Sequence, residues 1–176
     1  VHTLTRSFSG GLTLSPGSYA AMDDFTLTSG SELTLGNSSG LMVGEGDGNH
    51  LTLNGTATVA GLMAVTGDDL VMVDGVMDLL IGGVVATLSE DLEISGDAVV
   101  TNNGTLSVRD QFTFGGSAQL KNYDLIFLGN GHSYLSDDSK TENDGYISVT
   151  DGDLILQGNA SLDNAGVLDV LEKNLY

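Results

Sequence analysis

The chain repeats itself every 20 to 22 residues. A fixed period of that length restricts a fold to stacked copies of one supersecondary unit. ENDGYISV (142–149) and DNAGVLDV (163–170) share one order: a polar residue, Asn, any residue, a turn residue, then alternating apolar positions. TNNGTLSV (101–108) repeats it, and KNYDLIFL (121–128) repeats it without the glycine. Cut after each small-residue turn, the blocks are 20–40, 41–61, 62–83, 84–104, 105–124, 125–145 and 146–166. Residue 167 opens an incomplete last unit, and residues 1–19 read as an irregular first copy, so that 1–176 is one domain.

Within each block the apolar residues alternate over three to five positions and then meet a turn. Leu106/Val108, Ile126/Leu128, Ile147/Val149 and Leu168/Val170 occupy the same two slots, with Ser107, Phe127, Ser148 and Asp169 between them. A period of two means a strand with one buried face, which predicts Ser107, Ser148 and Asp169 on the outside. A second strand carries Leu51/Leu53, Leu70/Met72, Leu92/Ile94, Phe112/Phe114 and Leu154/Leu156. A third, weaker one is expected to align Val99, Leu120, Thr141 and Leu162. Three short strands per block predict an all-β, single-stranded parallel β-solenoid of about eight coils, each coil stacking its inward side chains on the next. An antiparallel sandwich also uses many short strands with glycine turns, but it does not require one slot to recur through six blocks.

Two further columns follow from the register. Asn102, Asn122, Asn143 and Asn164 fall one coil apart at a turn, where stacked amides can bond along the column and hold the turn backbone. The other column is acidic, with turns reading EGDGN (45–49), TGDD (66–69), SED (89–91), RD (109–110) and TDGD (150–153). Carboxylates repeated at about 4.8 Å repel one another. Screening, Arg109 or bound cations must offset that. Oxygen-rich turns suit Ca²⁺, which makes Glu45, Asp47, Asp68, Asp69, Asp151 and Asp153 the candidate ligands beside the plainer reading of a solvated acidic edge.

The charge excludes several partners. With 24 acidic and 5 basic side chains and a formal net charge of −19, the chain lacks the clustered Lys and Arg that phosphate backbones and anionic membrane surfaces demand. No apolar run is long enough to insert in a membrane. His2, His50 and His132 lack metal-ligand spacing, and no nucleophile elbow, P-loop or dinucleotide fingerprint occurs. Exposed turn carboxylates do not acquire the split pKa values a glycosidase pair needs, so an enzyme is not expected.

LDNAGVLDV (162–170) and VTNNGTLSV (100–108) resemble repeats of filamentous haemagglutinin-like exoproteins and autotransporter passenger domains, over roughly residues 41–170. The resemblance implies a secreted, right-handed parallel β-helix serving as an extracellular or cell-surface adhesin, stalk or fibre. The chain departs from that family in lacking long repeat arrays. The last residues, VLDVLEKNLY (167–176), begin another coil rather than a cap, and uncapped solenoids add subunits head to tail. Leu12 and Leu14 at one end and Leu168 and Val170 at the other are therefore the expected assembly slots of a homo-oligomer or filament. The alternative is a carbohydrate-active β-helix binding or cleaving neutral glycans or a host-surface ligand. A groove gathering Tyr19, Tyr123, Phe127, Tyr134 and Tyr146 would favour it.

Overall fold

In a computed structural model the described residues are 6–44, 50–171 and 175, and they form a three-sided parallel β-solenoid without any helix. The first coil is β1 (Arg6–Phe8), β2 (Gly11–Leu14) and β3 (Tyr19–Met22). The pattern continues to β22 (Leu154–Leu156), β23 (Ser161–Asn164) and β24 (Val167–Val170). Every third strand returns to the same side, which gives three 8-stranded sheets with all neighbours parallel. We call them A (containing β1 and β22), B (β2 and β23) and C (β3 and β24). Leu175 pairs with Leu154, so sheet A begins one further coil. Despite its irregular sequence, the described part of the first copy is in register with the second, with Arg6 beside Phe25, Leu12 beside Leu33 and Ala20 beside Leu41.

The core is the lumen of this prism. Phe25, Leu51, Leu70, Leu92 and Phe112 line it from sheet A, and Leu106, Ile126 and Ile147 line it from sheet C. Like stacks on like: Leu106 pairs with Ile126 and Ile126 with Ile147, and Val108, Leu128 and Val149 form the neighbouring column. Each such side chain contributes about 1.5–3 kcal/mol when fully buried, and the parallel ladder repeats the gain coil after coil.

Two expectations change. In sheet B the inward column is Val100, Leu120, Thr141 and Leu162, whereas Val99 pairs with Gln119 on the outside. Two adjacent valines satisfy either phase of a period-two pattern, and only the position of Asn102 two residues on settles which faces in. Ser148 keeps its outward parity, yet it is 3 % exposed. It sits between Phe127 of one coil and Asp169 of the next, beside the Tyr146–Asp169 hydrogen bond of 3.0 Å.

The weakest coil is the seventh. There Ser133 and Thr141 take inward positions that leucine or phenylalanine fills elsewhere, and both hydroxyls are buried without a partner. Thr141 borders a void of about 10 Å³ otherwise lined by apolar residues such as Phe112, Leu135 and Ile147. A water needs about that volume and two or more polar contacts, so the hydroxyl stays unsatisfied. Thr141→Val, which keeps the shape and removes the orphaned group, is expected to raise stability by about 1 kcal/mol in chemical denaturation. An unchanged or lower midpoint would mean that the hydroxyl has a partner after all.

Candidate functional site

The asparagine column closes the last turn of sheet B. Asn102, Asn122, Asn143 and Asn164 end successive strands with inward side chains, the first three fully buried. Each Nδ2 donates to the Oδ1 one coil later: Asn102 to Asn122 at 2.7 Å, Asn122 to Asn143 at 2.6 Å and Asn143 to Asn164 at 2.6 Å. The same nitrogens reach the backbone carbonyls that open the next strands of sheet C, Leu125 at 3.0 Å, Tyr146 at 3.3 Å and Val167 at 3.1 Å. An amide carries both donor and acceptor, so it is one of the few polar groups that can be stacked on itself indefinitely. Coils upstream put Leu14, Leu35, Val59 and Leu79 in this column instead.

The acidic turns run along the corner between sheets C and A. Glu45 and Asp47 lie outside the described residues. Asp68 and Asp69 precede the fourth coil's sheet A strand and Asp151 and Asp153 precede the eighth's. Four strand spacings, about 19 Å, divide them, so they cannot share an ion. What the turn carboxylates do is accept hydrogen bonds from the next coil. The His50 N–H donates to Asp24 Oδ1 (3.0 Å), the Asp91 N–H to Asp69 Oδ1 (3.3 Å) and the Gln111 N–H to Asp91 Oδ1 (2.8 Å). Where the eighth coil begins, the Asp153 N–H donates to His132 Nδ1 at 3.2 Å. These side chains carry the ladder through a corner where the backbone alone leaves an N–H without an acceptor.

Carboxylates do converge once. Oxygens of Glu90, Asp91 and Asp110 lie within 4.8 Å of one another. Burial pushes the Asp91 carboxyl above the usual carboxylate range, the Gln111 N–H pulls the other way, and the Asp69 and Asp110 charges add to the rise. Sequence reasoning placed these residues in the acidic column but not at its meeting point, because the convergence depends on side chains of two coils leaning together.

Beside this cluster lies an open cleft of about 600 Å³ at the edge of sheet C, lined by Leu88, Ser107, Arg109, Phe127, Asn130 and Thr150 among others. Arg109 is held at its mouth. Its backbone N–H donates to Thr87 Oγ1 (3.2 Å) and its Nη1 to the Leu88 carbonyl (2.7 Å). The cleft presents a guanidinium, one aromatic ring and several hydroxyl and amide groups, with neither carboxylate nor histidine in its lining. It can hydrogen-bond and stack a ligand but offers no general acid–base pair. The five aromatics do not share a groove. Phe127 is in this cleft, Tyr19 lines another groove on the same side, Tyr134 is on sheet A, and Tyr123 is on the turn from B to C.

The assembly slots stand at the ends of the stack. Leu12 and Leu14 belong to the edge strand β2, and Leu168 and Val170 to the edge strand β24. All four pack against the core while remaining half-buried.

Two measurements follow. Asn143→Ala should cost roughly 1–3 kcal/mol, because it strands the buried Asn122 amide, whereas Asn164→Ala at the exposed end should cost far less. Equal effects in denaturation would remove the ladder as a source of stability. For Asp91, a raised carboxyl pKa favours the fold below the unfolded value of 3.8 and loses that contribution as pH rises through the raised value. Asp91→Asn keeps the acceptor for Gln111 and drops the charge. It should therefore melt above wild type at neutral pH, with the gap narrowing towards pH 4, while Asp91→Ala should melt lower.

Comparison with known proteins finds no matching family model, no matching curated protein and no matching solved structure. The chain is a parallel β-solenoid of the general kind that β-helix repeat proteins build.

Proposed function

We propose that the chain is a non-enzymatic structural β-solenoid working outside the cell, a rod-like unit of a surface fibre or adhesin of the haemagglutinin and autotransporter passenger type that its repeats resemble. In this reading its mechanism is coil stacking. The observation that carries it is the state of the end coils. Leu162, Leu168 and Val170 at one end, and Leu12, Leu14, Ala20 and Met22 at the other, face the lumen axis half-exposed. Their strands have a paired neighbour on one side only among the described residues. A following coil supplies both backbone partners and apolar contact, and a head-to-tail contact of this kind does not close.

A second reading rests on the Arg109–Phe127 cleft, whose lining suits a neutral sugar stacked on the ring and hydrogen-bonded at its rim. The absence of carboxylates from that lining favours binding over cleavage.

Leu168→Lys with Val170→Lys tests the first reading. The double variant should keep its β circular dichroism and lose end-to-end growth seen by negative-stain microscopy and light scattering. A wild type that forms no rods longer than a single chain defeats the filament reading. Phe127→Ala abolishing retention on an immobilised neutral glycan would promote the second.

A further inference from the structure

Among the described residues, nearly every exposed large apolar side chain is on one side of the prism. Tyr19, Met42, Leu62, Phe127 and Val167 rise from the outer face of sheet C, and Leu80, Ile81, Leu88 and Tyr123 border it on the adjoining turns. Leu171 directly follows β24, and Leu175 alone is elsewhere. The charge map is the inverse. Sheet B carries Glu32, Asp78, Lys121 and Glu142 outward, with Lys121 and Glu142 paired at 3.3 Å. Asp169 is the single carboxylate on the outer positions of sheet C, and the Tyr146 hydroxyl donates to it at 3.0 Å. Sheet A is as poor in outward carboxylates, with Glu93 alone among the described residues, but its strands present none of the exposed large apolar side chains. In a chain of net charge −19, sheet C therefore joins apolar area to little charge, and two copies can approach there without facing acid on acid.

We propose that a second copy of this chain covers sheet C, forming a face-to-face dimer with the two solenoid axes antiparallel. This inference does not depend on the end-to-end reading. The required two-fold axis runs parallel to the strands and passes between β12 (Val84–Thr87) and β15 (Thr105–Val108), the middle pair of the sheet. It sets each outward column against itself in reverse order. In the central column Phe127 then meets Ala64, Met42 meets Ser148, and Ala86 meets Ser107. Each bulky side chain faces a small one. In the flanking column Leu62 meets Leu125 and Tyr19 meets Val167, apolar against apolar, while Val84 meets Thr105; in the central column the Asp169 carboxylate, already bonded to Tyr146, meets only Ala21. The parallel alternative sets Phe127 against Leu125 of the same coil, bulk upon bulk.

The area suits a small, concentration-dependent interface. Eight strands at about 4.8 Å spacing and four residues long make a face of roughly 34 by 13 Å, about 440 Å². The bordering Leu80, Ile81 and Tyr123 widen it towards the ~800 Å² per partner of a standard interface. Ala64 and Ala86, already 3 % and 7 % exposed, leave recesses rather than knobs at the centre, as a self-complementary contact requires.

Sedimentation equilibrium on the full chain tests the proposal. With end-to-end growth blocked by Leu168→Lys/Val170→Lys, the chain should run at twice 18.1 kDa, more tightly in added NaCl because screening relieves the repulsion between two acidic bodies. In that background Phe127→Asp and Leu62→Asp should each halve the mass with unchanged circular dichroism. Thr101→Asp on sheet B should not. Ala86 and Ser107 are already neighbours within one chain, so singly substituted Ala86→Cys and Ser107→Cys chains are mixed; with no native cysteine, the mixture should oxidise to a disulfide-linked dimer. A monomeric end-blocked chain at sub-millimolar concentration overturns the dimer, as does a dimer indifferent to Phe127→Asp or one that the 86/107 pair does not cross-link. A monomer that retains neutral glycan through Phe127 assigns the face to a ligand instead.

Discussion

Everything in this molecule depends on one constraint: each residue stands over its counterpart one coil earlier, at the distance of a parallel strand pair. A column is therefore admissible only if its residue tolerates itself as a neighbour. Aliphatic columns such as Leu106–Ile126–Ile147 pass at once, because dispersion and burial reward the stacking of like groups. Asparagine passes because its amide both donates and accepts. Aspartate fails on charge, and at Asp24, Asp69, Asp74 and Asp91 the fold gives its oxygen another task, accepting an N–H of the coil above.

That task changes the meaning of the acidic composition. A turn carboxylate bonded to the next coil's N–H sits close to its counterpart but is held by a directed, charge-assisted bond, and such bonds are stronger than neutral ones. At the Glu90, Asp91 and Asp110 cluster the arrangement reaches its limit, and burial with neighbouring charge lifts the Asp91 carboxyl. Substituting His132 for Asp at the same corner keeps an acceptor while removing a negative charge, which is a second solution to the same geometric need.

The period, the three strands per coil and the asparagine column were legible because each is a pattern along the chain that the fold copies directly. Val99 and Val100 were not separable, since two adjacent β-branched residues fit both phases of an alternating strand. The spacing of the turn aspartates was legible as a candidate cation site, but the N–H groups that Asp69 and Asp91 face were not, because those belong to the neighbouring coil. Ser148 shows the same limit from the other side. Parity places it outside, and only the size of Phe127 in the preceding coil explains why it is covered. The apolar face of sheet C escaped notice because no single block is unusual. It emerges when Met42, Leu62, Phe127 and Val167, each from a different coil, are brought onto one plane.

The two surfaces left for contact differ in symmetry, and that difference governs what can be built from them. In the proposed end contact a coil end would meet the opposite end of another copy, a polar contact that repeats in one direction without closing. In the proposed face contact sheet C would meet itself, closing after two copies and reversing the axis. The two would not compete, because the end contact engages lumen-facing residues such as Leu168 and the face contact engages outward ones such as Phe127. Their combined product would be a ribbon of two antiparallel rods with no net polarity, its charged sheet B facing solvent and its apolar sheet C hidden. For a chain of charge −19, that arrangement would keep the solubility its surface confers while giving both classes of exposed apolar group a partner.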